Sequence, residues 1–204
     1  MAQLYIFLLL LSFHITLPTA KSSPDSSPNP TNFIKAECGA TLYPALCVQC
    51  LSSYSSTIQQ SHKQLAQAAV SVSFSRAQST ASFLSKLAGM RGIKPIEYRA
   101  LKDCVENMAN AVDQLSRSVT ELSGMSQDFE WHVSNVESWV GAALTFENTC
   151  LDGFASPMVD GNIKVAVKRR TLDCTQVTSN ALALVNRFAA NHKGGASAED
   201  TNLP

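Results

Sequence analysis

Between residues 97 and 122 the apolar side chains fall at Tyr98, Leu101, Val105, Met108, Val112, Leu115, Val119 and Leu122, in steps that alternate three and four. That spacing gathers all of them on one stripe of a helix, as the core of a bundle requires. Pro95 lies just before the stripe, where proline is tolerated near a helix start, and Gly124 lies just after, where a helix can end. A second segment, 129–147, carries Phe129, Val133, Val136, Val140 and Ala143 at the same spacing, with Trp139 and Phe146 on its flank. A third, 162–191, carries Ile163, Val167, Cys174, Val177, Ala181, Leu184 and Phe188. The earlier segment 61–88 is less regular: Leu65, Ala69, Val72, Phe83 and Leu87 fit, but Arg76 and Thr80 fall on the stripe. Its many Ala and Ser residues point to close packing against neighbours. The links 89–96, 124–128 and 152–161 are short and hold Gly, Pro or Asp, which favours antiparallel neighbours. No strand-like alternation competes over a comparable length. The pattern therefore predicts an all-α fold, an antiparallel up-and-down four-helix bundle.

The ends differ from this interior. Residues 1–20 contain an uncharged apolar run from Leu4 to Leu11, continuing to Leu17 and followed by the small residue Ala20. The run is shorter than the ~20 residues needed to span a bilayer, and it reads as a secretory signal peptide, although no Lys or Arg precedes it. Residues 21–32, KSSPDSSPNPTN, are rich in Ser and Pro and read as a flexible leader. Residues 192–204 are polar, contain Gly194-Gly195 and read as a disordered tail. That leaves 33–191 as one helical domain, without a membrane segment in the mature chain.

Composition narrows the chemistry. Sixteen Lys and Arg balance sixteen Asp and Glu, so no basic field exists to draw nucleic acid or an anionic membrane. Lys168-Arg169-Arg170 reads as a solvated helix face. The histidines do not cluster in sequence, and no nucleophile elbow, metalloprotease helix, phosphate loop or calcium loop occurs. No catalytic set, metal site or cofactor is expected. Six cysteines, Cys38, Cys47, Cys50, Cys104, Cys150 and Cys174, follow the signal segment. Export exposes them to oxidising conditions, where pairs form, but six permit fifteen pairings and spacing alone does not choose. Cys38 and Cys47 flank Pro44, so a bridge there would make a small helical hairpin ahead of the bundle. Cys47-Val48-Gln49-Cys50 lacks the strand–helix setting of a redox site and the further ligands of a zinc site. Glu106, Asn110, Asp113 and Arg117 step by four, three and four, forming a polar row that flanks the apolar stripe. By spacing alone this is an ordinary solvated face.

Five strings in order resemble one family, the plant inhibitors of invertase and pectin methylesterase. They are Cys38-Gly39-Ala40-Thr41-Leu42-Tyr43-Pro44-Ala45-Leu46-Cys47, Leu101-Lys102-Asp103-Cys104-Val105-Glu106, Trp139-Val140-Gly141-Ala142-Ala143-Leu144-Thr145, Asn148-Thr149-Cys150-Leu151-Asp152-Gly153-Phe154 and Ser179-Asn180-Ala181-Leu182-Ala183-Leu184. The likeness is greatest to a subgroup called 21 kDa proteins. It implies a four-helix bundle with an N-terminal helical hairpin, stapled by Cys38 with Cys47 and Cys104 with Cys150. Cys174 matches the family's unpaired cysteine, and Cys50 is a departure. The resemblance further implies a secreted, non-enzymatic inhibitor of the apoplast or cell wall. It would cap the substrate cleft of a pectin methylesterase through Glu106, Asn110, Asp113, Thr149 and Asp152. Asn110 stands where an acidic residue is expected. Acid invertase is the alternative partner, but invertase inhibitors resemble one another in a Pro-Lys-Phe before the last helix, and this chain has Pro157-Met158-Val159 there. A wall structural or signalling protein without inhibitory activity is the remaining alternative. The same bundle also occurs as a pro-region ahead of a methylesterase, for which a 204-residue chain has no room.

Overall fold

The computed structural model describes residues 29–125 and 128–199, with side chains as far as His192. The expected signal peptide, most of the leader and the last five residues lie outside that range. Helix α1 (Pro30–Cys38) opens on Asn29, whose side chain accepts from the Thr31 N–H at 2.9 Å, with Pro30 in the first turn. A capping Asn followed by Pro is a strong helix start, so regular structure begins inside the segment expected to be a leader through residue 32. After a turn, α2 (Pro44–Leu51) again starts on proline. Disulfide Cys38–Cys47 ties the two into a hairpin. A single 3-10 turn (Ser52–Tyr54) and the short α3 (Ser55–Ile58) lead to the bundle.

The bundle consists of α4 (His62–Ala88), α5 (Pro95–Gly124), α6 (Phe129–Gly153) and α7 (Asn162–Glu199). Ser61 caps α4 by accepting from the Gln64 N–H. At the start of α5, Glu97 reaches back to the Lys94 N–H at 3.3 Å, which satisfies a donor that the first turn leaves open. Gly161, with φ +93, makes the bend into α7, a conformation that side-chain-bearing residues avoid. Each bundle helix packs against its chain neighbours, and α4 closes against α7. The cross-section is thus a square, with the α4/α7 edge opposite the α5/α6 edge. α7 continues to Glu199, inside the segment expected to be a disordered tail from His192 to residue 204. His192 stacks on Phe129 with ring centroids 3.5 Å apart, which extends helical packing one turn past Phe188.

On α6 and α7 the expected stripes are buried, Val133, Val136, Val140 and Ala143 on the first and Val167, Cys174, Val177, Ala181, Leu184 and Phe188 on the second, whereas on α4 and α5 the buried arcs are rotated from those the large apolar residues predict. On α5 they comprise Leu101, Cys104, Met108, Ala111, Leu115, Ser118 and Leu122, whereas Val105, Val112 and Val119 are half-buried and Tyr98 is exposed. On α4, Ser73, Ala77, Thr80 and Leu84 are buried, and Val72, Phe83 and Leu87 sit at the margin. Small residues at seven-residue spacing explain the rotation: Ser73 and Thr80 on α4, and Cys104, Ala111 and Ser118 on α5. They let the backbones approach closely, and the larger side chains then fill the seams on either side.

Two polar clamps seat the hairpin on the bundle. Buried Asn180 of α7 accepts from the Tyr43 N–H at 3.0 Å and donates to the Tyr43 carbonyl at 2.9 Å. Glu37 of α1 accepts from Arg187 Nε at 2.6 Å and Nη2 at 3.1 Å, and His62 Nε2 lies 3.4 Å from the same carboxylate. The Arg187 hydrogen bonds hold the Glu37 carboxyl below its usual range, against the opposing effect of burial.

Candidate functional site

Of the residues singled out by sequence, Glu106, Asn110 and Asp113 lie on α5, and Thr149 and Asp152 lie on α6; all five are exposed. The α5 row does not flank the core stripe as expected. With burial centred on Met108, Ala111, Leu115 and Ser118, the row falls on the side of α5 turned away from the core. Disulfide Cys104–Cys150 lies beneath this region, both cysteines being buried. It sets the two antiparallel helices in register at this height. From the bridge, Glu106, Asn110 and Asp113 are ~3, ~9 and ~14 Å along α5, and Asp152 is ~3 Å the other way. The bridge therefore brings Glu106, Thr149 and Asp152 to one level of the α5/α6 side, with Asn110 and Asp113 one to two turns along.

The side chains differ in how they are held. Asp113 accepts from Arg117 Nη2 at 3.0 Å, one turn on, and from Gln114 Nε2 at 3.4 Å. Thr149 donates to the Thr145 carbonyl at 2.9 Å, which fixes its hydroxyl while leaving its lone pairs outward. Glu106 and Asn110 have no hydrogen bond or ion pair to a described residue. The group is acidic and hydroxyl-bearing on rigid helices, suited to an extended protein contact and without a nucleophile–base pair. Among the described residues no group of three or more His, Cys, Asp or Glu could hold a metal ion. The Cys-x-x-Cys is split by the fold: Cys47 is bridged to Cys38, and Cys50 is a half-buried thiol pushed up by burial.

Residues 32–184 match the model of the family described as plant invertase/pectin methylesterase inhibitor. The chain belongs to this family. Among the relatives of this inhibitor-family chain, the 21 kDa protein of Daucus carota is 46% identical over 183 residues, covering 88% of this chain and 92% of its own. Pectinesterase inhibitor 9 of Arabidopsis thaliana is 44% identical over 191 residues, covering 90% and 93%. A crystal structure of a mutant form of a pectin methylesterase inhibitor from Arabidopsis superimposes with a TM-score of 0.60 at 21% identity, over 73% of this chain and 92% of that one. A second Arabidopsis inhibitor structure gives 0.54 at 20% identity, over 77% and 96%. The two structures support the bundle-plus-hairpin fold, and the family is one of inhibitor proteins rather than enzymes.

One group that the sequence reading passed over lies inside the bundle. Glu147 of α6 is fully buried. Its Oε1 accepts from Thr178 Oγ1 at 2.9 Å and Cys174 Sγ at 3.3 Å, while Oε2 has no partner. Thr178 also bonds Ser73 of α4 at 2.7 Å, so the seam joins three helices. Burial pushes the Glu147 carboxyl up to about 7, and no cation faces it. The signal was available in the sequence, since Glu147 falls seven residues after core position Val140.

Proposed function

We propose that this chain is a secreted inhibitor of pectin methylesterase that caps the enzyme's substrate cleft in a reversible one-to-one complex, and so tunes methylesterification of wall pectin. The carrying observation is the α5/α6 face, where Glu106, Asn110, Asp113, Thr149 and Asp152 stand exposed around a buried disulfide on helices that cannot shift register. Family membership supplies the class of target, and the relatives named as pectinesterase inhibitors favour the methylesterase over invertase. No described helix is long and apolar enough to cross a membrane.

The test is single replacement of Glu106, Asp113, Thr149 and Asp152 with Ala, with inhibition and thermal melting measured side by side. All four are exposed, so melting should hold within ~0.5 kcal/mol. Contacts desolvated in the complex should weaken inhibition by ~2–5 kcal/mol, and those at its rim should mainly slow association and change its salt dependence. If all four variants inhibit like the parent, the face is wrongly assigned.

A further inference from the structure

On the edge of the square opposite the α5/α6 face, a groove of 240 Å³ lies between the 3-10 turn, α4 and α7. Tyr54, Val72, Ser75, Arg76, Ser79 and Arg170 line it. Two of the six are arginines and none is acidic. Both guanidiniums are fixed in place. Arg170 Nη2 donates to Ser79 Oγ at 2.6 Å, and the Arg170 guanidinium sits over the Phe83 ring at 5.8 Å. Arg76 Nη1 is held by Asp173. Asp173 neutralises one of the two positive charges, so the groove keeps a net positive one.

Each guanidinium has N–H groups left over, although Nε of Arg170 is buried and does not reach the groove surface. Arginine has five donors in a planar fork; the bonds above engage one on Arg170 and one on Arg76, and Nη2 of Arg76 makes only a 4.0 Å contact with Cys50 Sγ. The hydroxyls are poised in complementary senses. Ser75 donates to the Ser71 carbonyl and keeps its lone pairs free, whereas Ser79 accepts from Arg170 and keeps its proton free. Tyr54, 41% exposed, adds an aromatic edge. The volume falls below the ~300–1,000 Å³ of sites that engulf drug-sized ligands, so the groove suits one charged ring of a longer chain.

We propose that this groove binds the carboxylate of a sugar-acid unit, with Arg170 and Arg76 taking the carboxylate and Ser75, Ser79 and Tyr54 the ring hydroxyls. The choice of carboxylate over other anions rests on the inhibitory reading above, because hydrolysis of pectin methyl esters leaves sugar carboxylates. Lying on the edge opposite the α5/α6 face, the groove leaves that face free, so polymer and enzyme could be held together.

The experiment titrates the purified protein with trigalacturonate, its fully methyl-esterified form, and inorganic phosphate, followed by backbone amide NMR shifts. Trigalacturonate should shift amides at Tyr54, Ser75, Arg76, Ser79 and Arg170, with an effect that falls as salt is raised, and the esterified form should not. Arg170→Gln should weaken binding ~5-fold, about what one solvated charge pair contributes, with methylesterase inhibition unchanged and melting lowered only by the loss of the Ser79 and Phe83 contacts. Ser79→Ala serves as a second, milder variant. No shift at these amides overturns the site, and equal binding of phosphate overturns the choice of carboxylate. Inhibition by the same sample is read separately, so neither result bears on the α5/α6 face.

Discussion

Glu147 shows how one side chain sets the conditions under which the bundle is most stable. A carboxyl buried without a cation is favoured in its neutral form, and here the shift runs from an ordinary 4.5 up to about 7. The folded state therefore holds this proton more tightly than the unfolded chain. The stabilisation is complete below pH ~4.5 and is lost as pH rises through ~7, on the order of 3 kcal/mol across the window. Glu37 acts with the opposite sign. Its carboxyl is depressed by Arg187, so its contribution is present above the ordinary carboxylate range and lost as pH falls through its lowered value. The two effects occupy different windows. Between pH 4.5 and 7.5 the melting temperature of the parent should fall relative to that of Glu147→Gln, which carries no titrating group there. Parallel melting curves for parent and variant across that range would show that Glu147 does not govern the dependence.

At the level of elements, the helices were legible in the sequence because α5 repeats its apolar residues without a break, and Pro44, Pro95 and Gly124 mark ends that the structure keeps. The faces were less legible. The stripe of large apolar residues included Val105, Val112 and Val119 on α5, yet these are half-buried, and the small residues Cys104, Ala111 and Ser118 are fully buried instead. The row of Glu106, Asn110 and Asp113, at about 100° per residue, lies on the outer side of α5 relative to either set, so its placement could have been read from helix geometry. The hairpin clamps were illegible for a different reason: Asn180 and Tyr43 are 137 residues apart, and Glu37 and Arg187 are 150 apart, so no local pattern joins them. Asn180→Ala removes both bonds to the Tyr43 backbone and should cost ~1–3 kcal/mol. Hydrogen exchange should then speed up first in α1 and α2. Uniform loss of protection across the bundle would argue against a local clamp. The Cys104–Cys150 bridge spans 46 residues of chain, for which loop entropy gives ~4 kcal/mol in its simplest form. Replacing both cysteines with Ala should lower stability by up to ~4 kcal/mol, and unreduced peptide maps of the parent should show Cys50 and Cys174 as thiols.

On the scale of the whole molecule, the square arrangement gives the chain two independent edges. The α5/α6 edge is braced by the Cys104–Cys150 bridge and by Glu121, which accepts from Asn135 Nδ2 at 3.0 Å and lies 2.9 Å from His132 Nδ1. The α4/α7 edge carries the hairpin and the arginine groove. Rigid helices joined by short links make a preorganised surface, and preorganisation lowers the entropy lost on association. The inhibitory role then reduces to a titration: purified protein against a panel of pectin methylesterases and an acid invertase, with residual activity and complex mass followed together. Loss of methylesterase activity that ends at one inhibitor per enzyme, and returns on dilution, is the expected result. Undiminished activity across the methylesterase panel, or inhibition of the invertase alone, would contradict it.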